Sequence, residues 1–176
     1  IVMMMDVSGS MSKKKKFLAR SFFFLLYQFI RSKYDSVEIV FIAHDAEARE
    51  VSEEQFFSRR SSGGTVVSTA YQLALDIVEK RFHPSLWNVY TFHCSDGDNF
   101  GYDTNDMLTA GEKLKDVSQL FGYCEIAPDD EMSWSSDDRL SAHLATIAGH
   151  DMKLVEISSK EDVWPAFKVM FGNRGV

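Results

Sequence analysis

The sequence predicts an α/β domain with a mostly parallel, six-stranded sheet. Strand-length apolar runs alternate with longer helical stretches along nearly the whole chain. The first run, Ile1 to Val7, stays apolar up to Asp6, as expected of a strand buried on both faces of a parallel sheet. Three polar clusters then fall at strand ends or in neighbouring loops, where open α/β sheets bind their ligands.

Lys13 to Lys33 reads as a long helix whose apolar content, with Phe22 to Leu26 consecutive, exceeds one stripe. Such a helix is buried on most sides or covered by a further segment. Val37 to Ala43 is the second strand. His44-Asp45-Ala46 connects it tightly to Glu47 to Val51, a short polar strand suited to a sheet edge. Ser61 to Thr65 is loop chemistry. Ser68 to Phe82 is an amphipathic helix, and Trp87 to Cys94 a strand ending in Ser95-Asp96-Gly97-Asp98-Asn99. A helix over Asn105 to Leu120, a strand over Phe121 to Ala127 and an acidic loop from Asp129 to Asp138 follow. Arg139 to Ala148 is a helix stopped by Gly149, Lys153 to Ile157 the last strand, and Asp162 to Phe171 the last helix, with Pro165 near its first turn.

The length, 176 residues, fits one domain, and a globule of this size buries roughly 70% of its unfolded-chain surface. The 45% hydrophobic content supplies one core, and a net charge of −7 disfavours an extended nucleic-acid interface. Two cysteines, Cys94 and Cys124, exclude a disulfide-dense scaffold and read as reduced core thiols of a cytosolic protein. The run Phe17 to Ile30, interrupted by Arg20 and Gln28, is too short to span a membrane. With no signal peptide visible and a strand opening the chain, the expectation is a cytoplasmic domain, the C-terminal part of a longer protein.

Asp6, Ser8 and Ser10 alternate with Val7 and Gly9, so three oxygens share one side of a strand end, and Gly9 lets the backbone turn over them. Thr65 follows Gly63-Gly64, and Asp96 lies in the third cluster. Hydroxyl and carboxylate oxygens suit a hard cation such as Mg²⁺, with Mn²⁺ as the alternative. The set has neither imidazole nor thiolate, which argues against zinc or copper, and Asp6 and Asp96 balance a divalent charge.

Asp6-x-Ser8-x-Ser10, the distant Thr65 and the later Asp96 resemble the metal-ion-dependent adhesion site of von Willebrand factor A domains, in order and rough spacing over nearly the whole chain. The resemblance implies a doubly wound sheet with one antiparallel edge strand and helices on both faces. It implies that Ser8, Ser10 and Thr65 bind metal directly, Thr65 exchanging with water between states. Asp6 and Asp96 would act directly or through water, and a partner's Asp or Glu would complete the shell. A narrower likeness is visible in Asp6 to Met11, Ile39 to His44, Gly63 to Thr65, Trp87 to Tyr90 and Ser95 to Asn99, which look like the bacterial YeaH/YhbH family. That likeness implies a cytosolic stress or sporulation role beside a serine protein kinase carrying an AAA-type ATPase module.

Several flanking residues carry two readings. Lys13 to Lys16 opposes the helix macrodipole, which favours acid there by ~0.3–1 kcal/mol. It is either a solvated charge run or, with Arg59 and Arg60, an electropositive rim that steers an acidic partner. Lys13, Lys14, Arg59, Arg60 and Trp134 are thus the candidate partner-binding residues, Trp134 either anchoring a partner or folding back. The acidic loop from Asp129 to Asp138 reads as a solvated loop first and a site wall second. His44 and Asp45 cap a turn or line the site. Asp98 and Asn99 stand behind the ligands or cap their own turn. His93 reads as a core histidine.

Two functions compete. The first is a non-enzymatic, metal-dependent protein-binding module. The second is a Mg²⁺-dependent phosphotransferase or hydrolase with Asp6 as nucleophile. The second lacks the acidic residue two places after the nucleophile, where Ser8 stands, and lacks an evident acid or base.

Overall fold

The computed structural model describes residues 1–58, 63–131 and 138–172; Arg59, Arg60 and Trp134 lie outside them. Six strands, β1 (Val2–Asp6), β2 (Val40–His44), β3 (Ala48–Val51), β4 (Tyr90–Ser95), β5 (Leu120–Ile126) and β6 (Met152–Ile157), form one sheet in the order β3-β2-β1-β4-β5-β6. All neighbours pair in parallel except β3, which runs antiparallel to β2 at the edge. Every side chain of β1 is buried, as its unbroken apolar run requires of a strand hydrogen-bonded on both sides.

The helices are α1 (Lys13–Lys33), α2 (Glu53–Ser58), α3 (Val67–Arg81), α4 (Thr104–Val117), α5 (Leu140–Ala145) and α6 (Val163–Phe171). They sort onto the two faces of the sheet. Met3, Met5, Phe41, Phe92 and Cys124 pack with Leu18, Phe22, Phe23 and Leu26 of α1, Phe56 of α2 and Phe167 of α6. Val2, Met4, Ile42, Phe121 and Tyr123 pack with Ala70 and Tyr71 of α3, Leu114 of α4 and Leu140 of α5. The connection after β1 therefore crosses one face through α1, and the connection into β4 crosses the other through α3. The carboxyl ends of β1 and β4 flank the switch in strand order, where an open α/β sheet leaves a crevice.

Four local expectations are corrected. β2 begins at Val40 and β4 at Tyr90, each three residues later than the apolar pattern alone suggests. Hydrogen bonds still reach the residues just before them: the Ile1 amino group donates to Glu38 O at 2.8 Å, and Gln119 N–H to Val89 O at 2.7 Å. The helix α2 was not anticipated, yet it carries a start signal: Gln55 N–H donates to Ser52 Oγ at 3.2 Å and Ser52 N–H to Gln55 Oε1 at 3.2 Å, a capping box. α5 ends at Ala145 rather than Ala148, and α4 at Val117, where Ser118 takes extended backbone and delivers Leu120 to β5. Finally, α1 buries Leu18, Ala19, Phe22, Phe23, Leu26 and Ile30 but leaves Phe17 and Phe24 each 58% exposed, so the described residues do not bury it on most sides, and the alternative expectation of a further covering segment stands.

Candidate metal centre

The site starts where β1 stops. Val7 packs into the α1–α6 core, and the chain turns through Ser8-Gly9-Ser10. Ser8 N–H donates to Asp6 Oδ1 at 2.8 Å, the Ser8 and Ser10 hydroxyls lie 3.0 Å apart, and Ser10 Oγ donates to Asp96 Oδ1 at 3.4 Å. Two of the three predicted clusters thus meet through side chains.

The threonine loop is strapped to both by backbone. Gly9 N–H donates to Gly63 O at 2.8 Å, Val66 N–H to Asp45 O at 3.0 Å and Phe100 N–H to Thr65 O at 3.1 Å. Gly64 packs under the Phe100 ring, which a Cβ there, 2.5 Å from the ring, would push aside. Gly97 is required after Asp96, where φ is 86° and a Cβ would sit 2.9 Å from Glu125 Oε2. The first turn of α3, which follows Thr65, is capped from the Asp96 loop. Asn99 Oδ1 accepts from Val67 N–H at 3.1 Å, and the Asp103 carboxylate accepts from Ser68 N–H at 2.9 Å and from the Ser68 hydroxyl. Asn99 therefore serves another element's helix rather than its own turn.

Buried polar atoms are normally hydrogen-bonded. Around this crevice Asp6 Oδ2, Thr65 Oγ1, His44 Nδ1 and Asn99 Nδ2 are all buried without a partner among the described residues. Asp6 is fully buried, Ser8 1% and Thr65 2% exposed, while Gly9, Gly63 and Gly64 are open to solvent. Burial, then the neighbouring Asp96 charge, pushes the Asp6 carboxyl up to about 7, the Ser8 hydrogen bonds opposing them. Asp98, half-buried, is raised by burial and then by Asp96. A cation would give Asp6 Oδ2 and Thr65 Oγ1 a partner and relieve the like-charge crowding, so these oxygens fit a hard divalent ion. Among the described residues no three His, Cys, Asp or Glu side chains cluster as a metal site; the candidate set is of another kind, two carboxylates with three hydroxyls.

The Lys13 to Lys16 run divides. Lys13 and Lys14 are exposed, and Lys14 pairs with Asp130. Lys15 and Lys16 are buried and belong to the site, a correction to the solvated or rim readings. Lys15 Nζ donates to Asp96 Oδ2 at 2.9 Å and to Ser10 O at 3.2 Å, and Lys16 Nζ donates to Ser8 O at 3.4 Å. Helical side chains lean toward the N-terminus, so first-turn lysines reach back over the preceding loop. Ser12 caps α1 by accepting from Lys15 N–H at 3.1 Å, and its hydroxyl donates to Glu131 Oε1 at 2.9 Å. Arg59, Arg60 and Trp134 fall outside the described residues, so the rest of the proposed rim has no structural counterpart here.

Behind the crevice lies a chain the sequence reading did not assemble. Tyr71 OH is 3.0 Å from His93 Nδ1, and His93 Nε2 is 2.9 Å from His44 Nε2. Both imidazoles are held below their ordinary range by burial, His44 at about 4. His93 is the core histidine expected of it. Asp45 caps the turn, accepting from Glu47 N–H at 3.1 Å. A second buried carboxylate, Glu125 at the end of β5, accepts from Arg139 at 3.2 Å, Ser141 N–H at 3.1 Å and Tyr123 OH at 3.2 Å.

The comparisons agree with this architecture. The family described as "Protein of unknown function (DUF444)" matches residues 1–174. A UPF0229 protein of Ruminiclostridium cellulolyticum is 48% identical over 168 residues, covering 96% of this chain and 42% of the relative. The UPF0229 protein of Shouchella clausii is 42% identical over 171 residues, 97% of this chain and 43% of the relative. The chain thus spans about two fifths of the length of these relatives. Among solved structures, the pilus adhesin SpaC of Lactobacillus rhamnosus GG superposes with a TM-score of 0.71 at 13% identity, over 97% of this chain and 30% of that one. The manganese-loaded TRAP protein of Plasmodium vivax superposes with a TM-score of 0.61 at 11% identity, over 96% and 72%. At such identities the likeness carries the fold alone. No helix among the described residues is long and apolar enough to cross a membrane. With its six-stranded mixed sheet of the von Willebrand A type, and with residues 1–174 matching, this chain belongs to the DUF444 (UPF0229) family.

Proposed function

We propose that this domain is a metal-dependent protein-binding module. Asp6, Ser8, Ser10, Thr65 and Asp96 would hold one Mg²⁺ or Mn²⁺ and leave a position for a partner's Asp or Glu. The observation that carries this reading is the cluster of buried, unpartnered polar atoms at the switch point, above all Asp6 Oδ2 and Thr65 Oγ1. Orphaned groups of this kind each cost about 1–3 kcal/mol, and a hard cation with its waters and an anionic ligand would satisfy them. When bound, the ion supplies a Lewis-acidic site for a carboxylate oxygen. The manganese held by TRAP, a protein of the same fold, is in keeping with this.

Binding is favoured over turnover. Asp6 Oδ1 is engaged by Ser8 N–H, and the nearby imidazoles, His44 and His93, are fully buried and hydrogen-bonded to each other. Neither is presented to a substrate as acid or base. The likeness to the YeaH/YhbH family extends the proposal to a cytoplasmic stress or sporulation pathway and to a serine protein kinase with an AAA-type module as partner. The test is a pull-down with the full-length protein in Mg²⁺. Capture should be lost with EDTA, with Asp6→Ala, and when the partner's contacting acid becomes an amide. A partner retained through all three overturns the reading, and Mg²⁺-dependent phosphoester turnover abolished by Asp6→Asn would favour the phosphotransferase or hydrolase instead.

A further inference from the structure

We infer that Lys15 is a built-in counter-ion of the cation site, and that it makes cation and acidic ligand bind cooperatively. The inference rests on the proposed cation site and adds to it. Asp6, fully buried, and Asp96, 6% exposed, lie within electrostatic reach of each other there, and the half-buried Asp98 acts on both. Two ammonium groups face them from the first turn of α1. Lys16 is tied to Ser8 O, and Lys15 forms an ion pair with Asp96 at 2.9 Å in which the side chains are 10% and 0% exposed.

A lysine buried this deeply is kept only where its charge is matched. Here the match is a prospective metal ligand. Lys15 thus holds Asp96 in place in the absence of the cation and repels the cation when it arrives. A divalent ion held on Asp96 lies beside the Lys15 ammonium, a like charge that an anionic ligand offsets, so a carboxylate completes the site electrostatically as well as by coordination. The same placement accounts for cationic residues at a helix N-terminus, where the macrodipole alone disfavours them. The charge of Lys15 answers to Asp96 rather than to the helix.

The test is calorimetric titration of the protein with Mn²⁺, without and with saturating acetate, in the wild type and in Lys15→Met. Removing a unit positive charge beside a divalent ion should tighten Mn²⁺ binding by about tenfold or more. Acetate should strengthen Mn²⁺ binding in the wild type and do so several-fold less in the variant. If Lys15 were only a strap holding the Ser10 loop, Lys15→Met would bind Mn²⁺ more weakly, and that result overturns the inference, as does unchanged affinity. Lys15→Gln, which keeps a donor for Ser10 O, replaces Lys15→Met if the latter does not fold, with the same expected direction. Absence of Mn²⁺ binding in the wild type and the variants alike would instead remove the cation site itself.

Discussion

Two buried polar clusters sit at the same end of one sheet, on neighbouring strands, and they are built in opposite ways. At the end of β5, Glu125 is matched by Arg139, the Ser141 N–H and Tyr123 OH, and Arg139 extends to Glu156 at 2.9 Å. At the ends of β1 and β4 and in the loop before α3, Asp6 and Thr65 keep an oxygen each with no partner among the described residues, and Asp6 and Asp96 crowd each other. The first cluster is complete within the chain and works as a structural joint, with Gly97 folded against Glu125. The second is complete only with something added. Burial alone does not separate them, since Glu125 and Asp6 are both essentially inaccessible; the hydrogen-bond count does.

Substitutions can break this contrast. The largest effect is expected at the joint. Arg139→Met leaves Glu125 buried beside no cation and should lower unfolding stability by about 3 kcal/mol, measured by urea denaturation, with no dependence on Mg²⁺. A loss below 1 kcal/mol would remove the distinction.

The opposite sign is expected at the crevice. Asp6 has a folded-state pKa of about 7, above its ordinary 3.8, so the native state binds that proton more tightly than the unfolded chain. Its ionisation therefore costs stability in full above about pH 7, and the cost fades as pH falls toward 4. In EDTA at pH 8, Asp6→Asn should be more stable than the wild type by on the order of 2 kcal/mol, and the two should converge as pH is lowered to 4. A variant less stable at pH 8, or a gap that widens in acid, contradicts the account.

Two smaller effects sharpen the picture. Tyr71→Phe removes a buried partner of His93 and should cost about 1–2 kcal/mol, because an imidazole nitrogen is left unpaired. Thr65→Val replaces an unpartnered hydroxyl by a methyl and should gain up to about 1 kcal/mol in EDTA. In the wild type, Mn²⁺ at a hundredfold excess over its dissociation constant should add about 2.7 kcal/mol, and Thr65→Val should forfeit most of that gain. Thermal melts with and without Mn²⁺ measure both.

Much of this was legible in the chain. The unbroken apolar run of β1, the short polar β3 and the alternation of strand with helix anticipate the sheet, and Asp6, Ser8, Ser10, Thr65 and Asp96 fall at its switch point. What the sequence hid depends on tertiary direction. Lys15 and Lys16 read as a solvated run or an electropositive rim until α1 is placed with its first turn over the Ser8–Ser10 loop. Tyr71, His93 and His44 come from three elements and join only when Met4 is registered against both Ile42 and His93. The Asn99 and Asp103 caps serve a helix more than thirty residues upstream, so no local pattern announces them. The signal for α2 was present in Ser52 and Gln55 but short.

The most direct test of the central claim is a crystal grown or soaked in Mn²⁺, with anomalous scattering recorded for the wild type and for Thr65→Val. One peak per chain among Ser8 Oγ, Ser10 Oγ and Thr65 Oγ1, weakened or lost in Thr65→Val, is the expected result. No peak at that position under saturating Mn²⁺, or an equally strong one in Thr65→Val, would contradict the account.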